Sequence, residues 1–211
     1  MVEKSWYGSL YQGVDRGEIM ADLALRLDKM ELEIRKEKFR KNFGRANEVN
    51  YWIFDYPPEE ELEVRKRIEY LKNKNKNGAD DFELVVYDLY DIIIDFLEQK
   101  NFLKKCFDFE KKNGLEKITK AVSNSMKFND DDSIIVQHIK DNTPDNAVVF
   151  LTGIGKCYPI LRSHKVLNNL HQAFVKAPVV MFFPGTYNEQ ELVLFNEIKD
   201  DNYYRAFKLV K

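Results

Sequence analysis

Cysteine is scarce: the 211 residues contain only Cys106 and Cys157. Two thiols build no disulfide framework and, with so few, no structural zinc site of the usual four-ligand kind; such usage fits a reducing compartment. Long apolar runs are missing as well. No stretch approaches the roughly 18 uninterrupted apolar residues of a membrane-spanning helix, and the opening MVEKSWYGSLYQGVDRGEIM lacks a sustained signal-peptide core. A cytoplasmic protein, neither exported nor embedded, is expected. There is no excess of charge of one sign either, since 33 Lys and Arg against 35 Asp and Glu leave −2. Nothing global therefore advertises DNA, RNA or an anionic membrane, and direct nucleic-acid binding is not expected.

The standard catalytic signatures are absent in the same way. A P-loop needs Gly, four residues, Gly, Lys and then Ser or Thr, so that backbone N–H groups and lysine hold the phosphates and the hydroxyl ligates magnesium. VVFLTGIGKCYP supplies Gly155 and Lys156, but Phe150 stands where the first glycine belongs and Cys157 follows the lysine. The stretch also follows the third strand, whereas a P-loop normally follows the first. Gly153 and Gly155 give half of a dinucleotide fingerprint, with Tyr158 where the third glycine would be. No G-x-S-x-G elbow occurs. Cys157, in a turn before a helix, would have its thiol activated by the helix's positive end, with His164 and His171 as distant bases. Those two histidines, seven residues apart on one predicted helix face, lack a visible third metal ligand. Asp80-Asp81 and Asp130-Asp131-Asp132 read as caps and solvated turns. No cofactor or metal is expected, and the chain is expected not to be an enzyme.

What is present is an alternation of strands and helices. Apolar residues at Ile19, Leu23, Leu27, Met30 and Ile34 predict one long amphipathic helix over 18–43. It gives an amino-terminal helical segment, 1–48, packing on or beside an α/β core, 49–211. Within the core, YWIFDY predicts a strand at 51–56, followed by a helix opened by Pro57, Pro58 and a glutamate-rich first turn. FELVVY predicts a strand at 82–87 before a helix carrying Leu89, Ile92, Ile93, Phe96 and Leu97. One or two helices fill 103–146, broken at FNDDD, and residues 104–127 carry seven lysines against Asp108, Glu110 and Glu116. AVVFLTGIGKCYPILRSHKVLNNLHQAF reads as strand, turn and helix. APVVMFFPGTYNEQELVLFNEI reads the same way, with Pro184 and Gly185 marking the turn. DDNYYRAFKLVK closes as a final strand. About five mostly parallel strands with helices on both faces follow: a three-layer α/β fold, Rossmann-like or P-loop-NTPase-like, without a Walker A motif. The carboxyl ends of such strands converge on a ligand crevice, which makes Asp55, Tyr158, Arg162 and His164 a candidate ligand- or partner-facing cluster.

The segments VVFLTGIGKCYPILRSHKVLNNL, APVVMFFPGTYNEQELVLF and DDNYYRAFKLV, with YWIFDYPPEEELEVR and VVYDLYDIIIDFLE upstream, closely resemble the BrxB family of bacterial BREX phage-defence systems. The resemblance implies a role beside an ATPase, a DNA methyltransferase and the phosphatase-like PglZ, which BrxB proteins are thought to bind, and an accessory, non-catalytic interaction function in methylation and phage exclusion. It assigns no chemistry to matching positions such as Gly153, Arg162, His164 and Arg205. A small-molecule or nucleotide-binding regulator on a degenerate NTPase-like fold is the alternative.

Overall fold

The structure, a computed structural model, describes residues 16–41, 50–128, 133–174, 176–200 and 206–210. Arg205 and the Asp130–Asp132 run lie outside the described residues. Helices α1 (Arg16–Arg35) and α2 (Glu37–Lys41) replace the single long helix expected, with a break at Lys36. Strand β1 (Tyr51–Tyr56) leads through a 3₁₀ turn (Pro58–Glu60) into α3 (Glu61–Lys76). Then follow β2 (Glu83–Asp88), α4 (Leu89–Gln99), α5 (Leu103–Asn113), α6 (Leu115–Ser125) and α7 (Ile134–Asn142). The chain continues through β3 (Ala147–Thr152), the short α8 (Ile154–Cys157), α9 (Ser163–Ala173) and β4 (Val179–Tyr187). It ends in β5 (Leu192–Leu194), β6 (Ile198–Asp200) and β7 (Phe207–Lys208).

The main sheet has the order β2-β3-β4-β1-β7, and these neighbours all pair in parallel. From β1 the chain travels three places to reach β2, then returns stepwise through β3 to β4. Right-handed crossovers put the connecting helices on opposite faces when the direction of travel reverses. Accordingly α3 packs on one face together with α1, while α4, α6, α7, α8 and α9 cover the other. Strand pleating supplies both layers: Val148, Phe150, Val180 and Phe182 point to the α1/α3 side, and Val149, Leu151, Val179 and Met181 to the other. Burial on both sides explains why these strands read as continuous apolar runs instead of alternating ones.

One unit differs from the sequence reading. Pro184 and Gly185 do not turn the chain. They lie within β4, which runs on to Tyr187, and the expected helix is the antiparallel hairpin β5–β6 paired to the end of β4. Pro184 stands opposite Tyr56, the last pair between β4 and β1, and from Gly185 onward β4 pairs with β5 instead. A Cβ on Gly185 would run into the Val193 carbonyl, so glycine permits this change of partner. Asn188 then turns the chain by accepting hydrogen bonds from the Gln190 and Glu191 N–H groups.

Candidate functional site

The carboxyl ends of β1, β2 and β3 open into a groove of about 490 Å³ between α3 and α4. Tyr56, Asp88, Thr152 and Gly153 form its floor; Glu61, Arg65, Glu69 and Lys72 of α3 form one wall, and Asp91, Asp95 and the α7 residue His138 the other. The groove opens between helices of opposite faces, at the carboxyl edge of a sheet through which the chain's direction of travel reverses at β2. The loop after β1, where an NTPase of this strand pattern would carry its phosphate cradle, is Pro57-Pro58-Glu59-Glu60. Its two prolines have no N–H to offer a phosphate, and the glutamates repel one.

The TGIGKCYP stretch reaches the groove floor through Thr152 and Gly153, and its chemistry is turned inward. Gly153 has φ +79, and a Cβ there would come within 2.9 Å of Asp88 Cγ. Glycine is therefore required by a side chain from the neighbouring strand, with no bound phosphate invoked. Asp88 caps α4 by accepting from the Tyr90 and Asp91 N–H groups. Its second oxygen lies 2.6 Å from Lys156 Nζ, and Asp91 Oδ1 lies 3.4 Å from the same ammonium. Burial would pull the Lys156 ammonium down, but the two carboxylates outweigh it and hold its pKa above the ordinary lysine value. Gly155 sits against Phe195 and Pro184, where a Cβ would approach Phe195 Cε1 to 2.9 Å. Cys157 is buried at 1% exposure, and that burial pushes its thiol up to about 12, with the Asp88 charge adding to it. The helix-end activation expected from sequence is thus overridden by burial.

Asp55 lies elsewhere. It is 5% exposed at the end of β1 and accepts three hydrogen bonds, from Arg26 Nη2 of α1 at 2.7 Å, Lys208 Nζ of β7 at 2.8 Å and the Tyr187 N–H at 3.0 Å. Arg26 also donates to the Asp55 carbonyl and lies over the Phe54 ring, 5.1 Å from its centroid. Asp55 lines neither the groove nor the cleft beside Arg162. That second cleft is narrow, about 20 Å³, and brings half-buried Tyr158 and exposed Arg162 to the β5–β6 hairpin at Leu192 and Ile198. His164 is buried in the first turn of α9. His171, one face along, stacks on Tyr51 with centroids 4.8 Å apart. Among the described residues no three His, Cys, Asp or Glu side chains are grouped to hold a metal.

Comparison with known proteins settles the family. A curated relative from Bacillus cereus (strain H3081.97), "BREX protein BrxB", is 46% identical over 185 residues, spanning 88% of this chain and 96% of that protein. The chain belongs to the BrxB family. The BrxB family model, described as "BREX protein BrxB", matches residues 85–209, from within β2 to just beyond β7. A second BrxB, from Escherichia coli O9:H4 (strain HS), is 32% identical over 188 residues, 89% of this chain and 92% of its own length. No solved structure matches. The stretch matched by the BrxB model contains the Gly153 turn, Asp88, Lys156 and the β5–β6 hairpin, so the inward-facing edge lies inside the family's own segment. Asp88, Asp91, Arg26 and Lys208 escaped the sequence reading because their partners are far along the chain: 65 residues separate Lys156 from Asp91, and 153 separate Lys208 from Asp55.

Proposed function

We propose that this BrxB chain is an accessory, non-catalytic protein-interaction subunit of a BREX anti-phage system. It acts in the cytoplasm, binds the phosphatase-like PglZ and supports host DNA methylation and phage exclusion. Family membership ties the chain to BREX systems. The observation that carries the rest is that the reactive-looking groups of the sheet edge are engaged with one another: Lys156 with Asp88 and Asp91, Asp55 with Arg26, Lys208 and the Tyr187 N–H, and Cys157 with the core. Groups held in this way build a surface. They are not poised to take a proton or attack a substrate. No helix among the described residues is long and apolar enough to cross a membrane, which accords with a cytoplasmic role.

The groove favours a second reading, a regulator that binds a small molecule at the strand ends. Its carboxylates Glu61, Glu69, Asp88, Asp91 and Asp95 outnumber Arg65 and Lys72, so it suits a cationic ligand better than a nucleotide. The deciding experiment is co-purification from cells carrying a complete BREX locus. Recovery of PglZ with the wild-type chain and with the groove variant Asp95→Ala supports the interaction subunit. A nucleotide or polyamine that raises the melting temperature, with the rise lost in Asp95→Ala or Arg65→Ala, would favour the second reading instead.

A further inference from the structure

Helix α5 buries none of its residues. Only Leu103 and Cys106 pack against the main core, each half-buried. It is tied to α6 through the single residue Gly114, whose own α-carbon faces open space. Three of the five exposed phenylalanines among the described residues stand on or beside this helix: Phe102, Phe107 and Phe109 at 37%, 53% and 39% exposure. Isolated apolar side chains on a surface mean little, but a group rimmed by charge marks an interaction site.

Their arrangement is regular. The spacing three, four, three along the helix places Phe102, Lys105, Phe109 and Lys112 in one stripe, in which aromatic and ammonium groups alternate. Lys105 Nζ lies 5.2 Å from the Phe102 ring centroid, so these neighbours do meet. Lys104, Phe107 and Lys111 repeat the pattern on the other flank. From 102 to 120 the chain carries six lysines against three carboxylates, although its overall charge is −2. The partner that matches is an amphipathic segment whose apolar side chains alternate with Asp or Glu. Nucleic acid fits less well, because Asp108 and Glu110 flank Phe109 where phosphates would have to lie, and no arginine occurs from 102 to 120.

We infer that α5 is the docking ridge of this protein for an acidic amphipathic segment of another protein, seated on Phe102, Lys105, Phe109 and Lys112. The inference rests on the interaction role proposed above and names its surface.

The probe is PglZ from the same locus, titrated calorimetrically against the full chain. Phe102→Ser/Phe109→Ser is expected to weaken binding by roughly tenfold or more, as removal of central aromatic anchors does. Lys105→Glu/Lys112→Glu should weaken it as strongly at about 50 mM salt and remove the salt dependence that the wild type shows up to about 300 mM. Leu62→Ser, exposed on α3 across the sheet, should bind as wild type. All four residues of the stripe are exposed, so both double variants should melt with the wild type, and each checks the other. If both double variants bind PglZ like wild type, the α5 assignment is overturned while the interaction role stands. If the wild type does not bind PglZ, that part of the proposed role fails, and the same proteins are titrated with every other product of the locus. An α5 variant that loses no partner there overturns the assignment. So does tighter, α5-dependent binding of a DNA oligonucleotide or of anionic vesicles.

Discussion

Replacing Asp55 with alanine removes one carboxylate from three donors at once. Arg26 Nη2, Lys208 Nζ and the Tyr187 N–H would lose their common acceptor, and the two cations, 14% and 24% exposed at the side chain, would stand beside each other without a counter-charge. Breaking a buried pair from one side costs about 3–5 kcal/mol, chiefly through the charge left behind. Lys208 recovers part of its hydration, so the lower end, about 3 kcal/mol, is expected for Asp55→Ala. For a chain of this size that corresponds to a fall in Tm of roughly 6–12 °C. Asp55→Asn keeps the shape but turns an amide NH₂ toward a cation, so most of the loss should remain. Arg26→Ala should cost less, because Lys208 and the Tyr187 N–H still hold the carboxylate, and the double variant Asp55→Ala/Arg26→Ala should be less destabilised than the sum of the two. Urea and thermal unfolding measure all four proteins, and hydrogen exchange should show protection falling together in α1 and at β7. An unchanged melting curve for Asp55→Ala would refute the closed ion cluster. If PglZ binding fell at the same time, the carboxylate would belong to a binding surface instead.

Three further outcomes can be checked on the same protein. Gly153→Ala forces a Cβ toward Asp88 and holds a non-glycine residue at φ +79, so urea unfolding should show a loss of about 2 kcal/mol; Gly78→Ala, at φ +78 in open space, should lose only about 1 kcal/mol. Burial would raise the Asp80 carboxyl, but hydrogen bonds from Arg35 and Asn75 outweigh it and hold its pKa below the ordinary value of 3.8. In acid the unfolded chain therefore takes up its proton first. The stabilisation is whole above the unfolded value and is lost as pH falls through the folded one, so Asp80→Asn should be less stable than wild type at pH 7 and converge with it in acid unfolding curves. Cys106 is half-buried, whereas Cys157 is sealed in the core with its thiol pushed up to about 12; iodoacetamide at mildly alkaline pH should modify Cys106 in the native protein and reach Cys157 only on unfolding.

The sheet was readable because its central strands are buried on both faces, and VVFLT and VVMFF have few other homes. The fourth unit was not, because Pro184-Gly185 is a turn signal in isolation, and only the passage of β4 from one partner to another makes it strand. The following hairpin hid for a related reason. Its turn sets two successive residues at positive φ, and these are Phe195 and Asn196 where asparagine and glycine would have announced it. The break at Lys36 is equally silent in the helical pattern. Asp80 and Asp81 read as turn caps from their neighbours, yet they receive Arg35 and Arg40 from the end of α1 and from α2, more than forty residues back along the chain. Of the four proposed site residues, the strand-to-helix pattern placed Tyr158, Arg162 and His164 together at one junction, where the first two line the cleft and His164 is buried. The pattern had no means of showing that Asp55 turns toward α1 and β7, since residue spacing records faces of elements and not which distant cation meets a carboxylate.

The Asp55 cluster also sets an order of events during synthesis. Arg26 and the Asp55 carboxylate leave the ribosome before Lys208, which lies 153 residues after Asp55. At about 5–20 residues per second the nascent chain waits roughly 8–30 s for its last cation. Until then β1 has its β7 side bare, and the sheet carries an open edge at Trp52 and Ile53. A chain halted short of residue 208 would keep that edge exposed, which makes intactness of the carboxyl-terminal strand something a protease or chaperone can sense from β1.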